Sequence, residues 1–293
     1  MPSDRNFEAD KASLGPKTDF SRRSMMVTTL ATGFAAAVQP VAAQTTITTD
    51  STGIDAGEIK IKTASGDIPG YRAMPKTGSN LPTIIVVQEI FGVHEHIKDV
   101  CRRLAKLGYF AIAPEMYARQ GDVSKLKSMD EIRPIVAKVP DAQVMADLDA
   151  AVDFAKASGR ANAAKLGITG FCWGGRVVWL YSAHNKNLKA GVAWYGRVVG
   201  DKTEMTPSHP IDLAANLNAP VLGLYGGADA GIPVDSLDKI KAACAAAKKS
   251  CEITVYPDTP HAFHADYRPS YREGPAKDGW AKMIAFFKQR GVA

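Results

Sequence analysis

The sequence has little that would support a membrane span, a nucleic-acid interface or a zinc site. Its apolar run at residues 25–38 is shorter than the roughly 20 residues that a membrane helix needs. The formal net charge is +6, yet no block of five like charges occurs, and clustered charge is what indicates nucleic-acid binding. No two of the four cysteines have the spacing of a zinc ligand pair. We therefore expect no nucleic acid, no metal and, in the mature form, no membrane as partner.

The N-terminus has the three parts of an export signal in order. Arg22 and Arg23 stand directly before the apolar run, and Val41-Ala42-Ala43 supplies the small side chains that suit a signal peptidase. Paired arginines before a short apolar run are typical of a twin-arginine signal. We expect residues 1–43 to be removed, residues 44–57 to form a linker, and the mature protein to be periplasmic or secreted.

The remaining cysteines fall into two groups. Export would permit disulfides, and Cys244 and Cys251 flank a short connection over which they could close on each other. Cys101 lies within a helical pattern, so we expect it to be a small buried side chain.

Short apolar runs alternate with amphipathic segments from about residue 57 onward. Strands that alternate with helices indicate βαβ units and a mostly parallel sheet covered on both sides. The β-branched run 83–87 fits a strand buried on both faces. We predict one α/β domain over residues 58–293. The predicted strands are 58–63, 70–74, 83–87, 109–113, 165–170, 188–194, 221–225 and 253–256, and the predicted helices are 96–107, 142–157, 174–183, 235–248 and 279–289.

One segment interrupts this alternation. Residues 121–140 are polar and irregular, and no strand or helix is predicted there. Long irregular segments in compact domains often cover a functional site. We therefore predict a cap or lid.

The strongest chemical signal is Gly170-Phe171-Cys172-Trp173-Gly174-Gly175, between a predicted strand and a predicted helix. It has the nucleophile-elbow pattern, with cysteine in place of serine. The turn would project Cys172 from the carboxyl edge of the sheet, at a helix N-terminus that favours thiolate over thiol. The amide of Trp173 would be able to donate to an oxyanion. The competing interpretation is a structural cysteine in a glycine-rich turn.

Two later residues complete a catalytic triad in chain order. Asp229 ends the loop after strand 221–225, and His261 follows the last predicted strand. An α/β-hydrolase places nucleophile, acid and histidine in that order, each at a carboxyl end of the sheet. His261 would deprotonate Cys172 and later protonate the leaving group, while Asp229 would fix the imidazole tautomer. We therefore predict a Cys172-His261-Asp229 triad.

A second histidine motif receives a different interpretation. His94 and His96 stand two residues apart at a predicted helix start. A metal site there lacks a third ligand. We predict that these histidines lie on the surface or cap the helix.

Taken together, these motifs resemble the dienelactone hydrolase family, also called carboxymethylenebutenolidases, from about residue 57 to the C-terminus. The resemblance implies an α/β-hydrolase fold, with a mostly parallel central sheet flanked by helices on both faces. It also implies a small ester or lactone substrate and no metal or organic cofactor. The motifs that carry it are Gln88-Glu89-Ile90-Phe91-Gly92, Tyr117-Ala118-Arg119-Gln120, the Cys172 elbow, Gly227-Ala228-Asp229 and His261-Ala262-Phe263.

The resemblance implies roles for further residues. Glu89 corresponds to a glutamate that holds the resting cysteine and swings away when substrate binds, and the amide of Ile90 to the second half of the oxyanion hole. Arg119 matches an arginine that binds the substrate carboxylate. Well-studied members carry another such arginine four residues beyond the catalytic histidine, where this chain has Ala265. Arg268 is the nearest candidate to replace it.

The leading hypothesis is a cysteine hydrolase of small anionic lactones or esters. A thioesterase or a general carboxylesterase would use the same residues. A non-catalytic small-molecule binding protein is the alternative from another class. An intact triad argues against that alternative, because binding alone does not require three aligned residues.

Overall fold

A computed structural model describes residues 46–293, so the predicted export signal lies outside the described residues. Eight strands form one sheet, and six α-helices and two short 3-10 helices accompany it within this range. None of these helices is long and apolar enough to cross a membrane. The strands are β1 (Ile54–Thr63), β2 (Gly66–Pro75), β3 (Leu81–Val87), β4 (Phe110–Pro114), β5 (Ala161–Phe171), β6 (Ala190–Trp194), β7 (Val221–Gly226) and β8 (Cys251–Tyr256), and the helices are α1 (Glu95–Lys106), α2 (Met129–Val136), α3 (Asp141–Ala157), α4 (Trp173–His184), α5 (Val234–Ala246) and α6 (Glu273–Gln289).

The strand order in the sheet is β1-β2-β4-β3-β5-β6-β7-β8. β2 pairs antiparallel with both β1 and β4, and every other neighbouring pair is parallel. This is the mostly parallel α/β-hydrolase sheet that the sequence predicts. Because parallel strands end at the same edge, the loops after β3, β5, β6, β7 and β8 meet there.

The central strands are buried because both of their faces are covered. In β3, Ile84, Ile85, Val86 and Val87 are all fully buried. A β-branched run without polar alternation is what a doubly covered strand requires. The sheet thereby supplies a rigid platform for the loops at its carboxyl edge.

The starts of β1, β2, β5 and α6 differ from the predictions by four or more residues. β1 begins at Ile54, inside the predicted linker, because its antiparallel ladder with β2 extends to the pair Ile54–Pro75. α6 begins at Glu273 instead of residue 279. A glycine and Pro275 near its start obscure the helical pattern, although proline is tolerated in the first turn of a helix.

Residues 121–140 are more regular than predicted. They contain a 3-10 turn and α2, which starts with a capping box formed by Ser128 and Glu131. The helix has only eight residues, and one of them is Pro134. Short length and an internal proline both hide helical periodicity. The prediction of an irregular segment was wrong, and the cap role stays a prediction.

The four cysteines are free thiols. Cys101 is fully buried, as predicted. Cys244, in the last turn of α5, and Cys251, at the start of β8, share a hydrogen bond that raises the pKa of Cys244 and lowers that of Cys251. The two side chains therefore lie side by side, and a disulfide between them stays a prediction.

Candidate active site

Cys172 occupies the sharp turn between β5 and α4. Its backbone has φ 54° and ψ −114°, a left-handed conformation that costs a non-glycine residue about 1–3 kcal/mol. Its amide donates to the carbonyl oxygen of Trp194 at 3.0 Å, and its carbonyl accepts from the amide of Arg176 at 3.2 Å. The turn is therefore held from both sides in the strained geometry of a nucleophile elbow.

Close backbone contact explains the glycines of this turn. A Cβ atom at Gly174 would lie 2.4 Å from the carbonyl oxygen of Gln88, and one at Gly170 would lie 2.5 Å from that of Gly174. Any side chain there would push α4 away from β3 and β5. These glycines are required for packing the start of α4 directly under the nucleophile.

His261 and Asp229 form a buried pair at the same edge. Nδ1 of His261 lies 2.6 Å from Oδ2 of Asp229, and both side chains are almost fully buried. Oδ1 of Asp229 accepts from the amide of Gly231 at 2.9 Å. The carboxylate therefore holds the proton on Nδ1 and leaves Nε2 for chemistry.

The charge state of His261 follows from its neighbours. Burial lowers the pKa of His261, but the Asp229 carboxylate and the Cys172 sulfur outweigh burial and raise that pKa well above its ordinary value. Nε2 is buried and, because Nδ1 faces Asp229, it is the ring nitrogen on the side of the Cys172 sulfur.

Ile90 and Trp173 belong to the two segments that meet at the elbow, the loop after β3 and the start of α4. Ile90 follows β3, and Trp173 is the first residue of α4. Neither backbone amide donates a hydrogen bond to another described residue. Two free amides from these elements are what an oxyanion hole requires, and that role stays a prediction.

Glu89 is buried and hydrogen-bonded to two residues, Tyr267 and His94, that its sequence motif does not indicate as partners. Oε2 accepts a short hydrogen bond from the Tyr267 hydroxyl and lies 3.2 Å from Nε2 of His94. Burial alone would raise the pKa of Glu89, but the His94 hydrogen bond and nearby positive charge, including Arg268, lower it to about 2. Oε1 has no hydrogen bond in the described part of the chain. Within the described residues, none of these hydrogen bonds joins Glu89 to Cys172. The role of Glu89 in holding and releasing the resting cysteine stays a prediction.

His94 and His96 do not lie on the surface. Both side chains are buried, and His94, at the start of α1, makes no capping hydrogen bond. Nδ1 of His96 lies 3.2 Å from Oδ1 of Asp266. The prediction of a surface or capping role was wrong, because the loop after β3 packs against the loop after β8. Within residues 46–293, no group of three or more potential metal ligands is placed to hold an ion.

The two predicted substrate-binding arginines have different surroundings. Arg119 makes a bidentate ion pair with Asp147, at 2.8 and 2.9 Å, and a 2.6 Å hydrogen bond to Thr63. Its charge is therefore neutralised within the protein. Arg268 is 5% exposed, lies over the ring of Phe91 at 5.5 Å, and pairs with no carboxylate in the described residues. Of the two, Arg268 is the one without a direct ion pair, and its charge acts on the nearby Glu89 carboxylate.

Comparisons with known proteins identify relatives of this chain. The model of the dienelactone hydrolase family matches residues 68–291. A Methylorubrum extorquens protein named "Putative carboxymethylenebutenolidase" is 66% identical over 288 residues, which cover 98% of this chain and 99% of the relative. A crystal structure titled as a "Putative Dienelactone Hydrolase" from Klebsiella pneumoniae superimposes with a TM-score of 0.78 at 55% identity, covering 80% of this chain and 99% of that chain.

A more distant relative carries a more specific name. The "Probable 2-oxo-3-(5-oxofuran-2-ylidene)propanoate lactonase" of a Bradyrhizobium species is 31% identical over 219 residues. Those residues cover 74% of this chain and 88% of the relative.

Proposed function

The chain belongs to the dienelactone hydrolase family, and from that membership we propose that it hydrolyses small anionic esters or lactones with Cys172 as the nucleophile. The observation that carries the proposal is the buried His261–Asp229 pair, at 2.6 Å, at the sheet edge where the strained elbow presents Cys172. A binding protein has no need for a raised histidine pKa beside a cysteine. This combination is typical of activated nucleophiles.

The first half of the reaction forms an acyl-enzyme. The Cys172 thiolate attacks the ester carbonyl, and the oxyanion accepts hydrogen bonds from the amides of Ile90 and Trp173. The tetrahedral intermediate then collapses, the C–O bond breaks, and the leaving alkoxide takes a proton from Nε2 of His261. In a lactone this alcohol stays attached to the acyl group.

The second half releases the acid. Neutral His261 removes a proton from water, and the hydroxide attacks the thioester carbonyl. Collapse expels the Cys172 thiolate and leaves a carboxylic acid, so one water is consumed for each ester bond. Asp229 holds the imidazole orientation throughout and stabilises the imidazolium.

An anionic substrate is favoured by Arg268. A buried guanidinium without a carboxylate partner is costly unless a ligand supplies the charge. The name of the Bradyrhizobium relative describes a lactone that carries a carboxylate. A substrate of this kind would place a negative charge beside a buried guanidinium that has no direct ion pair.

The substrate class is tested by replacing the two arginines separately. Arg268→Met should raise KM for an anionic lactone about 10- to 100-fold, because one charge-assisted contact contributes roughly 1.5–3 kcal/mol. KM for a neutral aryl ester should stay within about twofold. Steady-state kinetics on both substrates measures the difference.

Arg119→Met is the matched control. Because Asp147 already neutralises Arg119, we expect this variant to lose thermal stability without selective loss of the anionic substrate. Selective loss in the Arg119 variant would instead assign the carboxylate to Arg119, as the family resemblance implies. Equal effects on both substrates in the Arg268 variant and in the Arg119 variant would refute an anionic substrate.

A substrate panel tests the proposal against its alternatives. Lactones, aryl esters and thioesters should be offered to the mature protein under identical conditions. Preference for thioesters would favour the thioesterase. A stoichiometric burst of product from an activated aryl ester is expected of a nucleophilic enzyme, and its absence together with tight ligand binding would favour a binding protein.

We also propose that the protein is exported by the twin-arginine route. The support is the order of the arginine pair, the apolar run and the small residues up to Ala43. Replacing Arg22 and Arg23 together by lysine keeps the charge and should trap the precursor in the cytoplasm. Cell fractionation with immunoblotting measures this. Unchanged processing to a mature form that begins near Gln44 would show that the arginine pair is not the export signal.

A further inference from the structure

A buried tyrosine hydroxyl without a partner occurs beside Cys172. The Tyr195 hydroxyl is buried and makes no hydrogen bond with residues 46–293, and its pKa is raised well above its ordinary value, first by burial and then by the charges of Glu89 and Cys172. Buried polar atoms without a partner are uncommon and call for an explanation. Other buried tyrosine hydroxyls do have partners in this structure: those of Tyr71, Tyr181, Tyr225 and Tyr267.

Tyr195 is the neighbour of Cys172 across the sheet. β5 and β6 are parallel, and their last residues, Phe171 and Trp194, are paired. Cys172 and Tyr195 therefore follow the two strands at equivalent positions. The amide of Cys172 donates to the carbonyl oxygen of Trp194 at 3.0 Å. The ring of Tyr195 stands edge-on to His261, with ring centroids 5.1 Å apart. Tyr195 therefore contacts the histidine and adjoins the nucleophile.

The backbone at Tyr195 is strained. Its φ is 38° although the side chain is fully buried. A Cβ atom at Gly196 would lie 2.2 Å from the carbonyl carbon of Gly175, so the start of α4 fixes this loop. Strained non-glycine residues persist where the surrounding structure holds them and often mark functional sites. Phenylalanine would fill the same space without leaving a hydroxyl unpartnered.

The charge on the sulfur decides which neighbouring group could stabilise it. A carboxylate only accepts hydrogen bonds, so ionised Glu89 would repel a thiolate. A phenol can donate to a thiolate. The charged groups that act on the Tyr195 hydroxyl are Glu89, Cys172, Arg268 and Asp266.

We propose that the Tyr195 hydroxyl is a positioning group that donates a hydrogen bond to the Cys172 thiolate when the sulfur turns from His261 toward β6. This rests on the proposed role of Cys172 as the nucleophile. The contact gives the thiolate a second stable position. It keeps the sulfur ionised between turnovers, without the imidazolium as its only stabilising partner.

The test is the pH dependence of alkylation in Tyr195→Phe. Iodoacetamide reacts with the thiolate, and peptide mass analysis identifies label on Cys172. Loss of one donor should move the inflection of the rate upward by about one pH unit, which is about a tenfold loss of thiolate below the inflection. The melting temperature should stay equal or rise, because the variant removes an unpartnered buried hydroxyl. A merely structural role would leave the alkylation profile unmoved.

Tyr225→Phe is the matched control. The Tyr225 hydroxyl is equally buried but accepts a hydrogen bond from Nε1 of Trp179 at 3.1 Å. This variant should lower the melting temperature and keep the wild-type alkylation profile. A Tyr195→Phe profile that superimposes on the wild type, or an equal shift in both variants, would overturn the proposal.

Alkylation needs no ester, so its outcome is separate from that of the proposed function. A wild-type protein that hydrolyses no ester would refute the proposed function. The same protein would still show whether deleting the Tyr195 hydroxyl shifts the ionisation of Cys172.

Discussion

Cys172→Ala is expected to lower kcat/KM for an activated aryl ester by about 10⁴- to 10⁶-fold, because no other group in the site can form the acyl-enzyme. Alanine keeps the Cβ atom that the turn already tolerates at φ 54° and adds no polar atom. The fold should therefore persist. Steady-state kinetics and circular dichroism on the same preparation measure both effects.

Two further cysteine variants sharpen this result. Cys172→Ser should also be a poor enzyme, because a hydroxyl is much harder to ionise than a thiol in a site arranged for a thiolate. Cys101→Ala is the control, since Cys101 is a fully buried thiol in α1. It should lose some stability and keep its turnover. Near-native turnover by a well-folded Cys172→Ala protein would show that another residue is the nucleophile.

His261→Ala should cost nearly as much as Cys172→Ala, and the double variant should be no worse than either single one. The thiolate and the imidazolium act as one unit, so their losses do not add. Asp229→Asn should cost less on an activated ester, where the leaving group needs little protonation. The measurement is kcat/KM for all four variants on one substrate.

His184 supplies a control of the same chemical kind. Its Nε2 lies 2.7 Å from Oδ2 of Asp149, but both side chains are more than 40% exposed. His184→Ala removes a histidine–carboxylate pair outside the site and should leave kcat/KM unchanged. Additive losses in the Cys172 and His261 double variant would contradict a shared mechanism.

Much of the fold was predictable because its signals are local. The alternation of β-branched runs and amphipathic helices predicts the parallel sheet, and the elbow motif marks the turn after β5. The positions of Asp229 and His261 follow from chain order alone, since each comes after a strand of the same sheet. Each of these predictions needed only a local sequence pattern or the order of the motifs along the chain.

The errors arise where distant segments meet. Nothing near His96 in the sequence indicates that Asp266, 170 residues later, will cover it. Likewise, the motif around Arg119 does not show that Asp147 will occupy its guanidinium. Pairing partners of this kind are set by how loops pack after the sheet has formed, and no local periodicity encodes them. The proline inside α2 hid a helix for a different reason, because it breaks the local pattern itself.

The packing between the loops after β3 and β8 has a consequence for which molecules can enter. Tyr267, in the loop after β8, binds Glu89, in the loop after β3, and Asp266 is bound by both His96 and Arg103 of α1. These contacts join the loop after β8 to the loop after β3 and to α1, so a bulky substrate cannot separate them without breaking several buried polar contacts at once. New substrate specificities would therefore arise more readily from substitutions elsewhere around the site, because those substitutions leave the contacts between these segments intact.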